Sequence, residues 1–468
     1  MTALDPAALQ VLIARLTGVA DEMGDVLRRA AFSPNIKERA DCSAALFTAH
    51  GELLVQAEHI PVHLGSMPAS VAAAIAAFGR DGVAPGEQVI LNDPFAGGTH
   101  LNDITVVAPC HLDGRLVGWA ANRAHHADVG GAAPGSIPAD ATEIQQEGLR
   151  IPPVLLTDSV RAILFANSRT PDERAGDLDA QVGANIVGVE RLAEIAATGA
   201  PIEELLAYGE RRMFAALDEV PDGTWSFEDV LDSTGPGQPP ATIRLAVTID
   251  GGSITFDFTG TDAQRLGNVN AVEAVTVSCV AFALRSAIDP TIPANGGSMR
   301  PVRVIAPPGS IVAALPPAAV GAGNVEVSQR VADVCLGALA QVVPQRVGAA
   351  SQGTMNNVLI GGTGWVYYET VAGGQGGRPG APGMSGVHTG MTNTSQVDAL
   401  SGVPRPGMSG IHTGMTNTKN TPCEALERSF PMRVLRYRLR SGSGGAGLAP
   451  GGEGIERDLQ MLEDVTVS

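Results

Sequence analysis

The sequence predicts an α+β fold in which mixed, largely antiparallel sheets carry packed helices, arranged as two lobes. Apolar residues recur at helical spacing after Asp5-Pro6, which is typical of a capped amphipathic helix. Apolar and polar residues alternate on both sides of Asp113-Gly114, a pair that favours a two-residue β-hairpin turn. A proline- and glycine-rich break at 235–240 interrupts the composition. We therefore predict lobes at residues 1–235 and 241–468, the first with the functional site and the second with a glycine-rich carboxy-terminal region.

The remaining elements follow from periodicity and from their boundary residues. A second helix is expected at 67–78, because Pro68 suits its first turn and Gly79 its end. Further helices are predicted at 180–197, 202–217, 272–287 and 325–342. Strands are predicted in a hairpin at 42–57 around His50-Gly51, at 89–91, at 104–111 and 116–121, at 160–167, and in a hairpin at 242–258.

The composition excludes several classes of function. The net charge of −18 and the lack of a basic stripe disfavour nucleic acid and anionic membranes as partners. Apolar runs such as 71–78 are too short to span a bilayer. The only lysines, Lys37 and Lys419, leave no G-x-x-x-x-G-K-[ST] phosphate loop, so ATP, if used, is expected on another chain. Five scattered cysteines and an amino terminus without a secretory pattern predict a soluble, cytoplasmic protein.

The predicted hairpin carries a candidate metal site. If its turn is type I′, Asp103 lies opposite Ala124 and Asn102 lies opposite His125. His100 then falls on the same face as His125, one diagonal step away. Nitrogen and oxygen donors that converge from two strands suit Zn²⁺ or Mn²⁺, and the two rings should then lie within about 7 Å of each other.

Asp103 is the geometric difficulty of this site. On a straight strand its side chain would point away from His100, so the segment 99–103 must bend, and Gly97-Gly98 makes such a loop inexpensive. We predict His100, Asp103 and His125 as metal ligands and catalytic residues. If either histidine is considered by itself, the alternative to a metal ligand is a structural residue held by hydrogen bonds.

Three neighbouring residues are candidates for orienting a ligand or contacting the substrate. His126 has the opposite parity to His125, which favours a supporting or structural role. Asp128 could orient a ligand histidine, and a plain turn role is an equal alternative. Asp93, directly before Pro94, is as compatible with a turn as with function.

His59 and His63 are further candidates for contacting the substrate. Their i, i+4 spacing would suit a metal pair on a helix, but Pro61 between them disfavours a helix interior. A role in a packed loop is therefore an equal alternative.

One internal repeat interrupts the second lobe. The sequence PGMSGVHTGMTNT at 382–394 recurs as PGMSGIHTGMTNT at 406–418. Two copies are fewer than a solenoid needs, so we interpret 382–405 as a local duplication. The second copy runs directly into 421–427 and is expected to occupy the original position, with His412 rather than His388 as the residue to test.

Several blocks in the same order identify a family resemblance, which extends from Ala31 to about Arg457. They are NIKERADCS at 35–43, HIPVHLGSM at 59–67, NDPFAGGTHLND at 92–103, HHADVGG at 125–131, EGLRIPP at 147–153, GDLDAQ at 176–181, FDFTGT at 256–261 and the loop at 443–455. With these blocks the chain resembles the hydantoinase B/oxoprolinase family, the B-type component of ATP-dependent N-methylhydantoinases, 5-oxoprolinases and caprolactamases, related to the large subunits of ketone carboxylases.

The resemblance implies an ATP-dependent cyclic-amide hydrolase that acts on a hydantoin, 5-oxoproline or a related lactam. An A-type ATPase subunit would phosphorylate the substrate, and this chain would bear a divalent metal, zinc or manganese, in a hetero-oligomer. Carried over by motif, His100, Asp103 and His125 would be metal ligands, and Asp41 is a further candidate. The loop SGGAGLAPGG has Ala449-Pro450 where the family pattern has basic residues, which puts the carboxy-terminal lobe's competence in question.

Three other functions stay open at this point. A subunit of an ATP-dependent ketone carboxylase would use the same metal to bind an enolate. A non-catalytic scaffold would only stabilise the ATPase subunit. A stand-alone metallohydrolase would cleave amides without ATP.

Overall fold

The computed structural model describes residues 5–57, 60–235, 237–378, 414–416 and 418–468. The helices are α1 Pro6–Ala30, α2 Pro34–Lys37, α3 Ser66–Phe78, α4 Asp158–Asn167, α5 Pro171–Ala197, α6 Glu204–Asp218, α7 Glu273–Ala287, α8 Ser328–Ala340 and α9 Cys423–Ser429. The strands are β1 Cys42–Thr48, β2 Leu53–Gln56, β3 Val89–Leu91, β4 Asp103–Leu112, β5 Arg115–His125, β6 Val154–Leu155, β7 Gly223–Leu231, β8 Ala241–Asp250, β9 Ser253–Asp257, β10 Val302–Ile305, β11 Asn357–Gly362, β12 Trp365–Thr370, β13 Met432–Leu439, β14 Ile455–Met461 and β15 Thr466–Val467.

A six-stranded antiparallel sheet in the order β2-β1-β5-β4-β3-β6 forms the centre of the amino-terminal half. Helices α1 and α5 pack together on one face, and α3 packs on the other. Strands β1, β3 and β5 are therefore covered on both faces, which matches their nearly continuous apolar sequences. The predicted α+β class with largely antiparallel sheets is confirmed.

The second large sheet has the order β10-β9-β8-β7; α8 packs on β7 and β8, and α7 packs against α8. Its strand β7 precedes the boundary predicted at 235–241, yet it pairs along its whole length with β8, which follows that boundary. The largest hydrophobic cluster also joins residues from both halves, such as Ile104 and Phe256. The predicted boundary lies in the proline-rich loop that connects these two paired strands.

One predicted strand is a helix. Residues 158–167 form α4, because the side chain of Thr157 accepts a hydrogen bond from the backbone N–H of Val160 and caps the first turn. Another helix starts differently from its prediction: a π-helical turn at Gly323–Val327 leads into α8. By length and composition, Pro61–Phe78 could cross a membrane, but half of it is buried inside the protein, as expected for a core helix.

The β4–β5 hairpin turns at Asp113-Gly114 with φ of 50° and 75°, which is the predicted type I′ turn. Its register is not the predicted one. Leu112 pairs with Arg115 and His111 with Leu116, but Cys110 pairs with Gly118, so Val117 is an extra residue in β5. This bulge shifts every later pair by one position and places Asp103, not Asn102, opposite His125.

Candidate metal centre

The predicted ligands come together at one end of the β4–β5 hairpin. His100 lies in the turn before β4, while Asp103 begins β4 and His125 ends β5. Because of the bulge, Asp103 and His125 are direct partners across the two strands and share a face of the sheet. The segment 99–103 bends as expected, since the N–H of Asp103 donates to the carbonyl of His100 over 3.1 Å. The ring centroids of His100 and His125 are 5.0 Å apart, within the limit set by the sequence analysis.

Asp103 is the electrostatic centre of this cluster. Its Oδ2 atom lies 3.1 Å from Nδ1 of His100 and 3.4 Å from Nε2 of His63, and it accepts a hydrogen bond from the hydroxyl of Thr99. Burial alone would raise the pKa of the Asp103 carboxyl, but its interactions with His100 and His63 hold that pKa well below its usual range. Asp103 is therefore a buried anion whose charge is available to a cation.

His63 belongs to the same cluster. It ends a short 3₁₀-helix at Pro61–His63, in which the proline takes the first position, so the proline that disfavoured an α-helix starts a tighter turn instead. Nδ1 of His63 lies 2.8 Å from the hydroxyl of Ser43, and Nε2 faces Asp103. His59, its sequence neighbour in the motif, lies outside the described residues.

The ring of His125 is fixed on two sides. The side-chain amide of Asn35 donates to the carbonyl of His125 over 2.7 Å and lies 2.8 Å from Nδ1 of the same ring. The other end of that amide accepts from Arg39, so its orientation is determined and Nδ1 must act as an acceptor. In the neutral ring the proton is then on Nε2. Burial, reinforced by His100, lowers the pKa of His125 well below its usual value, so the ring is neutral near pH 7.

The turn that leads into α2, the short helix with Asn35, is held by helix α5. The carboxylate of Asp177 accepts the backbone N–H groups of Phe32 and Ser33, both over 2.9 Å, and pairs with Arg174 over 2.8 Å. Asp177 and Arg174 are fully buried. The block GDLDAQ, which contains Asp177, thus supports the site by fixing the approach to Asn35.

Three donor atoms in the cluster are shielded from solvent and have no hydrogen-bond partner: Nε2 of His100, Nε2 of His125 and Oδ1 of Asp103. Buried polar atoms are nearly always paired, and imidazole nitrogen with carboxylate oxygen is a donor set that suits Zn²⁺ or Mn²⁺. Across the described ranges, no three His, Cys, Asp or Glu side chains form a ready-made metal site. The side chains of the cluster lie next to one another. However, Oδ2 of Asp103 contacts His63 and His100 and does not point, together with the unpaired atoms, to one shared position for an ion.

Asp41 lies at the edge of the cluster, directly before β1. Its backbone carbonyl accepts the N–H of His125 over 3.0 Å, and its carboxylate is 3.9 Å from the Arg39 guanidinium. Burial raises the pKa of Asp41 to about 7, although Arg39 opposes the shift.

The other predicted residues are placed away from the three unpaired donor atoms. His126 points to the opposite face, where its Nε2 lies 2.9 Å from the side-chain oxygen of Gln181, and burial lowers its pKa to about 4. Asp128 does not orient a ligand histidine: its carboxylate accepts backbone N–H groups within its own loop and pairs with Arg169 over 2.8 Å. Asp93 caps the short helix at Pro94–Ala96 by accepting from the N–H of Phe95, which is the turn role.

Sequence reasoning missed the contribution of the second half of the chain. Tyr368, on β12, stacks on His125 with ring centroids 4.5 Å apart and planes at 20°. The second copy of the repeat also reaches this region, because Met415 is fully buried and its carbonyl accepts the N–H of Val62 over 3.3 Å. The predicted duplication at 382–405, with its His388, lies outside the described residues, as does His412. No local pattern marks Tyr368, since its role depends on a contact more than 200 positions away.

The chain is similar to one protein family and to several known proteins along nearly its whole length. The hydantoinase B/oxoprolinase family matches residues 5–399 and 402–468. A protein of Methanocaldococcus jannaschii is 40% identical over 99% of this chain and 80% of its own length. The 5-oxoprolinase of Dictyostelium discoideum is 35% identical over 100% of this chain, which spans only 36% of that enzyme. The crystal structure of the ATP-dependent caprolactamase from Pseudomonas jessenii superposes with a TM-score of 0.88 at 28% identity, covering 100% of this chain and 80% of that one.

Proposed function

This chain belongs to the hydantoinase B/oxoprolinase family, and we propose that it is the metal-bearing B-type subunit of an ATP-dependent cyclic-amide hydrolase. The relatives named 5-oxoprolinase and caprolactamase support a lactam, hydantoin or similar cyclic amide as the substrate. The single observation that carries the assignment to this site is the group of three unpaired, buried donor atoms on His100, Asp103 and His125.

These three residues would hold a divalent ion, zinc or manganese, with Asp41 as a further candidate. When bound, the ion supplies a Lewis acid that polarises a carbonyl oxygen or generates hydroxide from water near neutral pH. His63 and Thr99 orient the Asp103 carboxylate from their side. Coordination through Nε2 of His125 would place that ring's proton on Nδ1, facing the Asn35 amide, so the Asn35 side chain must turn when an ion binds.

The activation of the amide is assigned to a partner chain. An unstrained lactam resists water because its resonance must be broken, and phosphorylation of the carbonyl oxygen creates a leaving group. The chain lacks a P-loop lysine motif, and it spans about a third of the 5-oxoprolinase that it matches. An A-type ATPase subunit, in a hetero-oligomer in the cytoplasm, would supply what the remaining two-thirds of that enzyme contains.

The test is to co-purify this chain with its ATPase subunit and to measure metal content and ATP hydrolysis dependent on a panel of hydantoins, 5-oxoproline and caprolactam. His100→Ala should abolish both bound metal and ring opening. His111→Ala is the matched control, because it makes the same change at the far end of β4, away from the site.

Two outcomes would contradict the proposal. Undiminished turnover of the His100→Ala complex would leave this chain as a scaffold for the ATPase. Ring opening by this chain alone, without ATP, would make it a stand-alone metallohydrolase.

A further inference from the structure

One wall of the candidate site is built by the carboxy-terminal half of the chain. Tyr368 lies between two partners: its ring stacks on His125, and the Arg39 guanidinium lies 4.7 Å from its centroid. Arg39 also donates to the backbone carbonyl of Tyr368 over 3.0 Å and to the amide oxygen of Asn35. Arg39 therefore contacts both of the groups that hold the His125 ring.

Arg39 is a fully buried cation that lies between two carboxylates. Its guanidinium is 3.9 Å from Asp41 and 4.0 Å from Glu369. Glu369, on β12, is 1% exposed and provides a buried carboxylate directly beside the Arg39 guanidinium.

Glu369 is in turn fixed by the last long strand of the chain. One carboxylate oxygen lies 2.9 Å from the guanidinium of Arg457 on β14 and accepts from the hydroxyl of Tyr367. The other oxygen accepts from the side chain of Asn420 and the backbone N–H of Thr421. The side chain of Arg457 is 4% exposed and covers the ring of Tyr437 at 5.1 Å.

These contacts form a continuous path from the carboxy-terminal hairpin to the metal-site histidine. The path runs from Arg457 to Glu369, from Glu369 to Arg39, and from Arg39 through both Asn35 and Tyr368 to His125. We propose that Glu369 and Arg457 are positioning residues for His125. In this role the carboxy-terminal hairpin helps to set the geometry of the site, even though neither residue touches the ligand atoms.

The physical reason is that a buried guanidinium keeps its place only while its charge is compensated. Removing one partner of a buried ion pair leaves an uncompensated charge, which drives rearrangement or entry of water. Arg39 would then withdraw from Asn35 and Tyr368, and the His125 ring would lose the stack and the hydrogen bond that orient it. A small misplacement at a reacting centre can reduce turnover by about 100-fold.

The proposal rests on the proposed function only for its effect on turnover, so the decisive measurement is made on the metal-free chain. Histidines labelled with ¹³C at Cε1 give one signal each, nine in total, and His125→Asn assigns the signal of His125. In the unmodified chain, stacking on Tyr368 should move this signal upfield. In Glu369→Gln it should return toward the position of an unstacked histidine.

Glu456→Gln is the matched control. Glu456 directly precedes Arg457 on β14, and its carboxylate accepts a hydrogen bond from Arg438 on the neighbouring strand β13. It should leave the His125 signal unchanged. Arg457→Gln, which removes the other partner, should shift the signal in the same direction as Glu369→Gln but less, since Tyr367, Asn420 and Thr421 still hold Glu369.

In the complex with the ATPase subunit, Glu369→Gln should lower kcat by about 10- to 100-fold with KM within about twofold of the unmodified enzyme. An unchanged His125 signal in folded Glu369→Gln would overturn the proposal, whatever the enzymatic activity of the complex proves to be. If both Glu369→Gln and Arg457→Gln fail to fold, the pair is structural and the positioning role is likewise overturned.

Discussion

Two of the antiparallel hairpins, β4–β5 and β13–β14, have opposite surroundings. The β4–β5 hairpin is covered on both faces over most of its length, and its fully buried residues include Trp119. The β13–β14 hairpin is a separate two-stranded sheet, and most of β13 is exposed, including Leu435 and Leu439. Both have a bulge, near Val117 in one and between Val434 and Arg436 in the other.

The difference shows what burial adds to the same architecture. In the covered hairpin, a one-residue shift decides which side chains meet, and it brings Asp103 opposite His125. In the exposed hairpin, arginines and carboxylates form ion pairs on the surface, such as Arg438 with Glu456, where water screens them. From this exposed hairpin, Arg457 reaches into the interior, and Met432 is buried in a hydrophobic cluster with Tyr367 and Phe430. Substitutions should therefore have large effects on the first hairpin and small effects on the second.

The largest effect is expected from Asp103→Asn. The change keeps the shape of the side chain but removes the buried negative charge next to His100 and His63. We expect bound metal to be lost and turnover of the complex to fall by at least about 100-fold, measured by metal analysis and by ATP-dependent ring opening. Asp93→Asn, the same change at a nearby buried turn, should retain both, and equal losses in the two variants would mean that the loop rather than the charge is responsible.

Glu147 gives a prediction about pH. Its carboxylate accepts N–H groups of Val320 and Gly321, and burial raises its pKa from 4.5 to about 7. Between these values the folded chain holds a proton on Glu147 that the unfolded chain releases, so the contribution of Glu147 to the free energy of unfolding should fall as the pH rises from about 4.5 to 7. At about 1.4 kcal/mol per pH unit this amounts to about 3 kcal/mol.

Urea unfolding at pH 4.5 to 8 tests this. Compared with the unmodified chain, Glu147→Gln should lack this contribution, so its free energy of unfolding should fall less as the pH rises. An unaltered pH dependence in the variant would refute the assignment. The contrast with the exposed ribbon is direct, because the hydrogen bond from Arg438 lowers the pKa of Glu456, whereas burial raises that of Glu147.

Asn35→Asp tests the orientation of the His125 ring. As the amide stands, its N–H faces Nδ1 of His125, whereas metal-bound histidines usually donate this proton to an acceptor. A carboxylate at position 35 would accept it, with Arg39 to balance the added charge. We expect the affinity for Mn²⁺ or Zn²⁺ to rise by about 10-fold, measured by titration of the metal-free chain. A weaker affinity would mean that the bond from Asn35 to the His125 carbonyl matters more than the acceptor at Nδ1.

The sequence was sufficient for features that are encoded locally. The turn at Asp113-Gly114 and the bend at 99–103 follow from glycine and turn chemistry, and they were predicted correctly. The bulge at Val117 was not predictable, because an extra valine among alternating residues leaves no compositional mark. At Gly118 a Cβ atom would come within 2.5 Å of the Phe47 carbonyl, a constraint set by β1 and visible only in the sheet.

The other features that the sequence did not predict also depend on contacts that a local sequence pattern does not show. The apolar run at 160–167 is too short for its period to decide between strand and helix, and the cap at Thr157 decides in favour of α4. Tyr368 and Glu369 lie in a strand whose sequence is typical of a buried strand. No local sequence pattern therefore indicates that they contact His125 and Arg39.

The smallest effect is expected from Arg438→Gln on the exposed ribbon. Arg438 donates to Glu456 over 2.7 Å, yet its side chain is 62% exposed. Exposed ion pairs contribute little to stability because water screens them, so the urea midpoint and the His125 signal should both stay nearly unchanged. High salt should erase any remaining difference, because it screens exposed charges. A clear loss of stability or a moved His125 signal would show that the exposed ion pair of Arg438 is coupled to the interior, and the contrast between the two hairpins would fail at its exposed end.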